Sequence, residues 1–165
     1  MTTLWTRPTT FSQFSQAEEH DVAWNEQPLS LPLRSNGVLH HIARSPKHDI
    51  KNKTWTIKAT GFQFADVPST ITGVEVKITA KRGGRARDDA VTLCYEDEVI
   101  GENKASKEVL PQITYGGSGD TWSVKVLTKE MIEDPSFGIM IRFRAHPEWP
   151  HRTYVQIDSV EMRIH

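Results

Sequence analysis

From Trp55 to Ile78 the chain alternates. Ile57 and Ala59 interleave with Thr56, Lys58 and Thr60, and Phe62 and Phe64 share one face. Val67-Pro68-Ser69 breaks the run, and Ile71, Val74, Val76 and Ile78 restart an apolar face. A period of two with β-branched and aromatic residues, punctuated by Pro and Gly, is the mark of half-buried antiparallel strands, and it predicts an opening hairpin. Gly61 and Gly73 fall inside these runs, where glycine signals a bulge or a close backbone approach. Downstream, Val91, Leu93 and Tyr95 alternate into the turn Glu96-Asp97-Glu98, and Val99-Ile100 returns as a hairpin with an acidic tip. Residues 109–115 predict a strand that Pro111 confines to a sheet edge. Trp122, Val124 and Val126 alternate with Ser123 and Lys125, and Ile139, Ile141 and Phe143 with Met140, Arg142 and Arg144.

The last strand, over about residues 153–164, changes parity. Val155 and Ile157 share one face, whereas Val160, Met162 and Ile164 take the other, which requires an extra residue and predicts a bulge near Asp158-Ser159. The one helix signal is short: Thr128 caps residues 129–133 and Pro135 stops them. About eight strands and one short helix predict an all-β fold, a two-sheet antiparallel β-sandwich with jelly-roll-like character. Regularly alternating helices, which a parallel α/β fold needs, are absent from the pattern. Phe62, Phe64, Val74, Val76, Trp122, Ile139 and Ile141 are the expected core.

Residues 1–50 follow no sustained period. Pro8, Pro28, Pro32 and Pro46 recur too often for a helix, while Trp5, Phe11, Phe14 and Trp24 are too aromatic for a disordered tail. The expectation is an irregular N-terminal arm with short strands over residues 1–50 and a sandwich domain over 51–165. The four aromatics are candidate assembly-interface residues, since aromatics are enriched at interface centres. The competing expectation is that they cover their own sandwich. In Pro28 to Leu33 the leucines 29, 31 and 33 share a face and the prolines suit a sheet edge, and residues 37–42 offer another short strand.

Composition narrows the function classes. At 165 residues the 18.7 kDa chain fits one domain that buries about two-thirds of its unfolded surface. A net charge of −1 gives no basic excess for coating nucleic acid. A single cysteine, Cys94, permits no intrachain disulfide and reads as a packed thiol in an apolar run. The start MTTLWTRPTTF lacks the basic and apolar regions of a secretory signal, and no apolar run reaches the roughly 20 residues of a membrane span. Folding in a cytoplasm, with the destination set by assembly and no membrane partner, is the expectation.

Candidate chemistry is sparse. Among seven histidines, His40 and His41 would point to opposite faces of a strand, and His146 and His151 flank a double-proline loop without a metal-ligand spacing. The acids Asp88, Asp89, Glu96, Asp97 and Glu98 could imitate a glycosidase pair but fall at expected turns. No GxSxG elbow, Cys-His signature or phosphate loop is present, so neither catalysis, cofactor nor metal is expected. Residues 81–89, KRGGRARDD, suggest a solvated turn, with a phosphate or glycan contact as the functional alternative. Residues 116–120 read as a flexible glycine-rich loop. Trp149, between prolines, is the candidate glycan contact should the domain be a carbohydrate-binding module.

The segments GFQFADVPSTITGVEVKITAKRGG, DDAVTLCYEDEVIGENKA, ITYGGSGDTW, EDPSFGIMI and VQIDSVEMRI follow one another over residues 55–164. In that order they resemble a β-sandwich family of tailed-bacteriophage structural proteins. Ser159 stands where that pattern has an aromatic, and residues 81–89 are more charged than it. The resemblance implies a virion structural protein: a capsid decoration (cement) protein or an accessory of the neck, tail or baseplate. It implies assembly in the host cytoplasm, partners among major capsid or tail proteins and further copies of the chain, and no catalytic residues.

Overall fold

The alternating runs pair into two antiparallel sheets. The computed structural model describes residues 1–16, 21–25, 29–34, 53–146 and 153–165. Its strands are β1 (Thr10–Phe14), β2 (Leu33–Arg34), β3 (Thr56–Thr60), β4 (Val74–Gly83), β5 (Arg87–Tyr95), β6 (Glu98–Ile100), β7 (Gln112–Gly116), β8 (Gly138–Arg144) and β9 (Tyr154–Ile164), with one helix, α1 (Lys129–Glu133). One sheet has the order β1-β3-β8-β5-β6 and the other β2-β9-β4-β7. Strand accounts for 49% of the described residues and helix for 4%, so the fold is an all-β sandwich. Between successive named strands the chain changes sheet at every step except the β5–β6 hairpin. Side chains of alternate parity fill the space between the sheets, with Ile57, Val76, Ile78, Leu93, Ile139 and Val160 fully buried.

The expected opening hairpin is corrected. β3 sits between β1 and β8, whereas β4 sits between β9 and β7 in the opposite sheet. A hairpin needs a loop of a few residues, but residues 61–73 separate these strands and carry their own buried side chains, Phe62 and Val67. The segment therefore closes the sandwich as it crosses. Phe64, expected in the core, is only partly buried and lies stacked on Phe62 at 5.7 Å. Gly61 has a φ of +72°, which ends β3. A side chain at Gly73 would meet the Gly117 carbonyl oxygen at 2.1 Å, the close approach that the sequence suggested.

The parity change in β9 has the expected cause. Thr79 pairs with Ser159 and Ala80 with Ile157, so the exposed Asp158 is the extra residue. β7 is an edge strand, with Pro111 immediately before it, and β2 is another edge, with Leu33 fully buried. Thr128 caps α1 by accepting from the Met131 amide at 3.3 Å. The expected strand at Trp122 is a turn instead. Trp122 and Ser123 have φ values of 57° and 58°, and the indole, fully buried, donates to the Val74 carbonyl at 2.9 Å. Burial of the largest side chain with its N–H satisfied overrides the local period. The strand expected over residues 37–42 lies outside the described residues.

The described part of residues 1–50 is woven into both sheets. β1 pairs with β3 along its whole length, and β2 pairs with β9. The Thr3 and Thr6 amides donate to Ile164 and Met162 carbonyls at 2.9 and 2.8 Å, beyond the point where β2 leaves β9. Here the usual polarity inverts: Thr3 is buried and Leu4 is 84% exposed. The reason is a bond. The Thr3 hydroxyl accepts from the Ile164 amide at 2.9 Å, satisfying a backbone donor at the end of β9.

Candidate functional site

The four N-terminal aromatics divide between interior and surface. Trp24 is buried, its indole donating to the Trp55 carbonyl at 2.8 Å and its ring edge-on to Phe143 at 6.0 Å. Phe11 pairs with Ala59, faces inward and packs on the core. These two complete the chain's own sandwich. Phe14 pairs with Thr56, and since Ile57 and Ala59 point inward its side chain lies on the outer face of the five-stranded sheet. Trp5 lies on the outer face of the other sheet, with the Lys77 ammonium 4.2 Å and the Arg163 guanidinium 4.5 Å from its ring. Glu161 holds Lys77 at 3.0 Å and Glu75 holds Arg163 at 2.7 Å, so both cations are fixed beneath the indole. Burial pushes the Glu75 carboxyl up, but bonds from Arg163 and His165 outweigh it and leave it below its ordinary value. Trp149 lies outside the described residues, as do His40, His41 and His151.

The charged stretch of residues 81–89 is not a solvated turn. β4 runs through Gly83 and β5 begins at Arg87, leaving a short turn at Gly84-Arg85. Both ends then send a charge into the interior. The Arg82 and Asp88 side chains are 2% and 0% exposed and meet at 2.6 Å. Asp88 also accepts from the Tyr115 hydroxyl at 2.6 Å and from the Ser106 amide at 3.0 Å, while Arg82 Nε donates to the Leu110 carbonyl at 3.1 Å. Burial, then the adjacent Asp88 charge, pushes the Tyr115 phenol well above its usual range, so it stays a donor. The Arg82 guanidinium further rests over Phe143 at 5.0 Å. A buried ion pair with its remaining lone pairs and protons bonded is a device of the fold. It ties β4, β5, β7 and the segment before β7 together. Periodicity could not disclose it, because a charged residue on a strand is read as facing water.

The other candidates are also engaged. Asp89 receives Arg142 at 2.6 Å and Lys53 at 3.5 Å. Asp97, at the β5–β6 turn, pairs with Lys58 across the outer face. Residues 116–120 form a compact turn: Gly117 bridges to Asp120, whose side chain accepts from the Trp122 amide at 2.8 Å and pairs with Lys104 at 2.8 Å. Cys94 is buried, and desolvation pushes its thiol up to about 12. Among the described residues no group of three or more His, Cys, Asp or Glu is placed to hold a metal. Described residues line open grooves as well. One of about 310 Å³ runs between Thr9, Thr10, Phe62, Phe64, Glu133 and Pro135, and one of about 500 Å³ follows the segment from Glu102 to Glu108 beside β7. Neither gathers a nucleophile with a base.

Large apolar side chains stand in solvent elsewhere: Leu4 at 84%, Val126 at 66% and Val99 at 54%. Val99 lies on β6, an edge of the five-stranded sheet. The sequence pattern had no means of singling out Leu4, because residues 1–50 follow no sustained period. No protein-family model matches the chain, and a search of the curated proteins finds no relative.

Proposed function

We propose that the chain is a structural component of a tailed-bacteriophage virion, a capsid decoration protein or a neck, tail or baseplate accessory. It acts through contacts with other virion proteins and with copies of itself, without catalysis. What carries this reading is the ordered set of segments over residues 55–164, and the structure gives each segment a framework role. Phe62 closes the crossing between sheets, residues 88–100 form the β5–β6 hairpin, the residues 113–122 segment seats Trp122, Asp134-Pro135-Ser136 leads from α1 into β8, and the final segment is β9. A family defined by such joints shares a scaffold rather than a reaction. Exposed Leu4, Val99 and Val126 supply apolar contact points on a rigid body, and repeated copies on a lattice make weak contacts additive. Phe14 and Trp5, on the two outer faces, are the N-terminal aromatics available to a neighbour.

Antibody to this protein, applied to purified particles of the phage that encodes it and imaged in negative stain, tests the reading. Regular decoration of heads or tails is expected. Particles that carry no label and no peptide of this chain by mass spectrometry would refute it.

A further inference from the structure

Four cations meet on the outer face of the five-stranded sheet, at the end where β4 turns into β5. Register places Arg87 of β5 opposite Arg144 of β8, and a bridge places Lys53 against Arg144 from the other side. Asp88 and Phe143, their chain neighbours, are buried toward the core, so Arg87 and Arg144 point outward, and Arg142 joins them from two positions away. Asp89, the carboxylate at the bulge between Asp88 and Ala90, is already engaged on both oxygens by Arg142 and Lys53.

The side chains of Arg87 and Arg144 form no hydrogen bond or ion pair among the described residues, and the Nε of Arg144 is sealed from solvent without an acceptor. Like charges directly opposed across a ladder repel, and a buried N–H without an acceptor is costly. Burial and then the Arg144 charge hold the Arg87 guanidinium below its ordinary value, against the pull of Asp89. The repulsion is relieved if an anion sits between the two guanidiniums.

We propose that Arg87 and Arg144 form a binding site for a doubly charged oxyanion, a phosphate or sulfate group, held by the two planar forks. Paired guanidiniums match tetrahedral oxyanions through parallel N–H···O bonds. The two opposed guanidiniums carry two charges, which a dianion neutralises better than a carboxylate does. This inference stands independently of the virion reading.

Thermal unfolding of the full chain is measured against sodium sulfate and sodium phosphate, with sodium chloride at matched ionic strength as reference. At about ten times the dissociation constant, the oxyanions should raise Tm by about 3–5 °C above chloride. Arg87→Gln should remove that difference while raising Tm in low salt, because it relieves the repulsion. Arg87→Lys, which keeps the charge and loses the fork, should weaken binding several-fold. A heparin-derived tetrasaccharide separates the sources: half-saturation below that of inorganic sulfate assigns the site to a sulfate ester, and equal half-saturation assigns it to the free ion. Equal effects of chloride and sulfate, or a sulfate shift that survives Arg87→Gln, would overturn the proposal. Tighter binding of a short DNA duplex than of either small ligand would also overturn it.

Discussion

At the residue scale the interior ion pair is the most consequential feature. Arg82, Asp88 and Tyr115 are bonded to one another and to backbone groups, so removing one member strands the others away from water. Asp88→Ala is expected to cost about 3–5 kcal/mol in urea unfolding, the range for a buried charge left without its partner. Arg82→Met combined with Asp88→Leu should cost less than Asp88→Ala alone, because no charge is then buried unpaired. A larger loss in the double variant would mean that the network adds net stability. Cys94 gives a second expectation. With its thiol buried and pushed up to about 12, less than about one part in a thousand is thiolate at pH 8. The native protein should therefore resist alkylation at pH 8 and react only after denaturation.

At the scale of elements, the N-terminal segments do structural work that a separable arm would not. β1 covers one side of β3, the Thr3–Thr6 segment bonds to the end of β9, and Trp24 fills a site against Phe143. A truncation beginning at residue 51 is expected to give an aggregating or molten product, seen as lost near-UV dichroism and bound ANS. A cooperative monomer from that truncation would restore the separable arm. Trp24→Ala should cost about 3–5 kcal/mol. Phe64→Ala should cost only about 1–2 kcal/mol, because its ring is partly exposed already and loses less burial.

For the whole molecule, acid sensitivity follows from carboxylates held in ion pairs. Glu75 and Asp120 lie below their ordinary values of 4.5 and 3.8 in the folded state. For each, burial acts upward and is outweighed by bonds to Arg163 and His165 or to Lys104 and the Trp122 amide. In this window the unfolded chain binds more protons than the folded one, so stability rises with pH. The contribution is complete above about pH 4.5 and is lost as pH falls through the depressed folded values. Tm should hold steady from pH 7 to 5 and drop below 4.5, and Glu75→Gln should flatten part of that drop. An unchanged Tm at pH 3 would show that these pairs contribute nothing.

The sequence by itself determined the class of fold and several of its joints. Alternation at Ile57, Val76, Ile139 and Ile157 needs only the two-residue period of a strand, and the β9 bulge follows from parity arithmetic within one segment. The Thr128 cap and the glycine at position 73 are likewise local: each depends on a hydroxyl or a missing Cβ at one place in the chain. Tertiary structure decided the rest. Which sheet each strand joins depends on long-range pairing, so β3 and β4, neighbours in sequence, became opposite layers. The Trp122 turn won over its strand pattern because the core had a site for an indole and an acceptor on Val74. The division of the N-terminal aromatics, two inward and two on outer faces, was set by the register of β1 and the contacts of Trp5 and Trp24. The charges of residues 81–89 went separate ways for the same reason. Arg82 and Asp88 turned inward where Tyr115 could complete their bonds, and Arg87 was left facing Arg144, because partners far apart in sequence meet only once the sheets have formed.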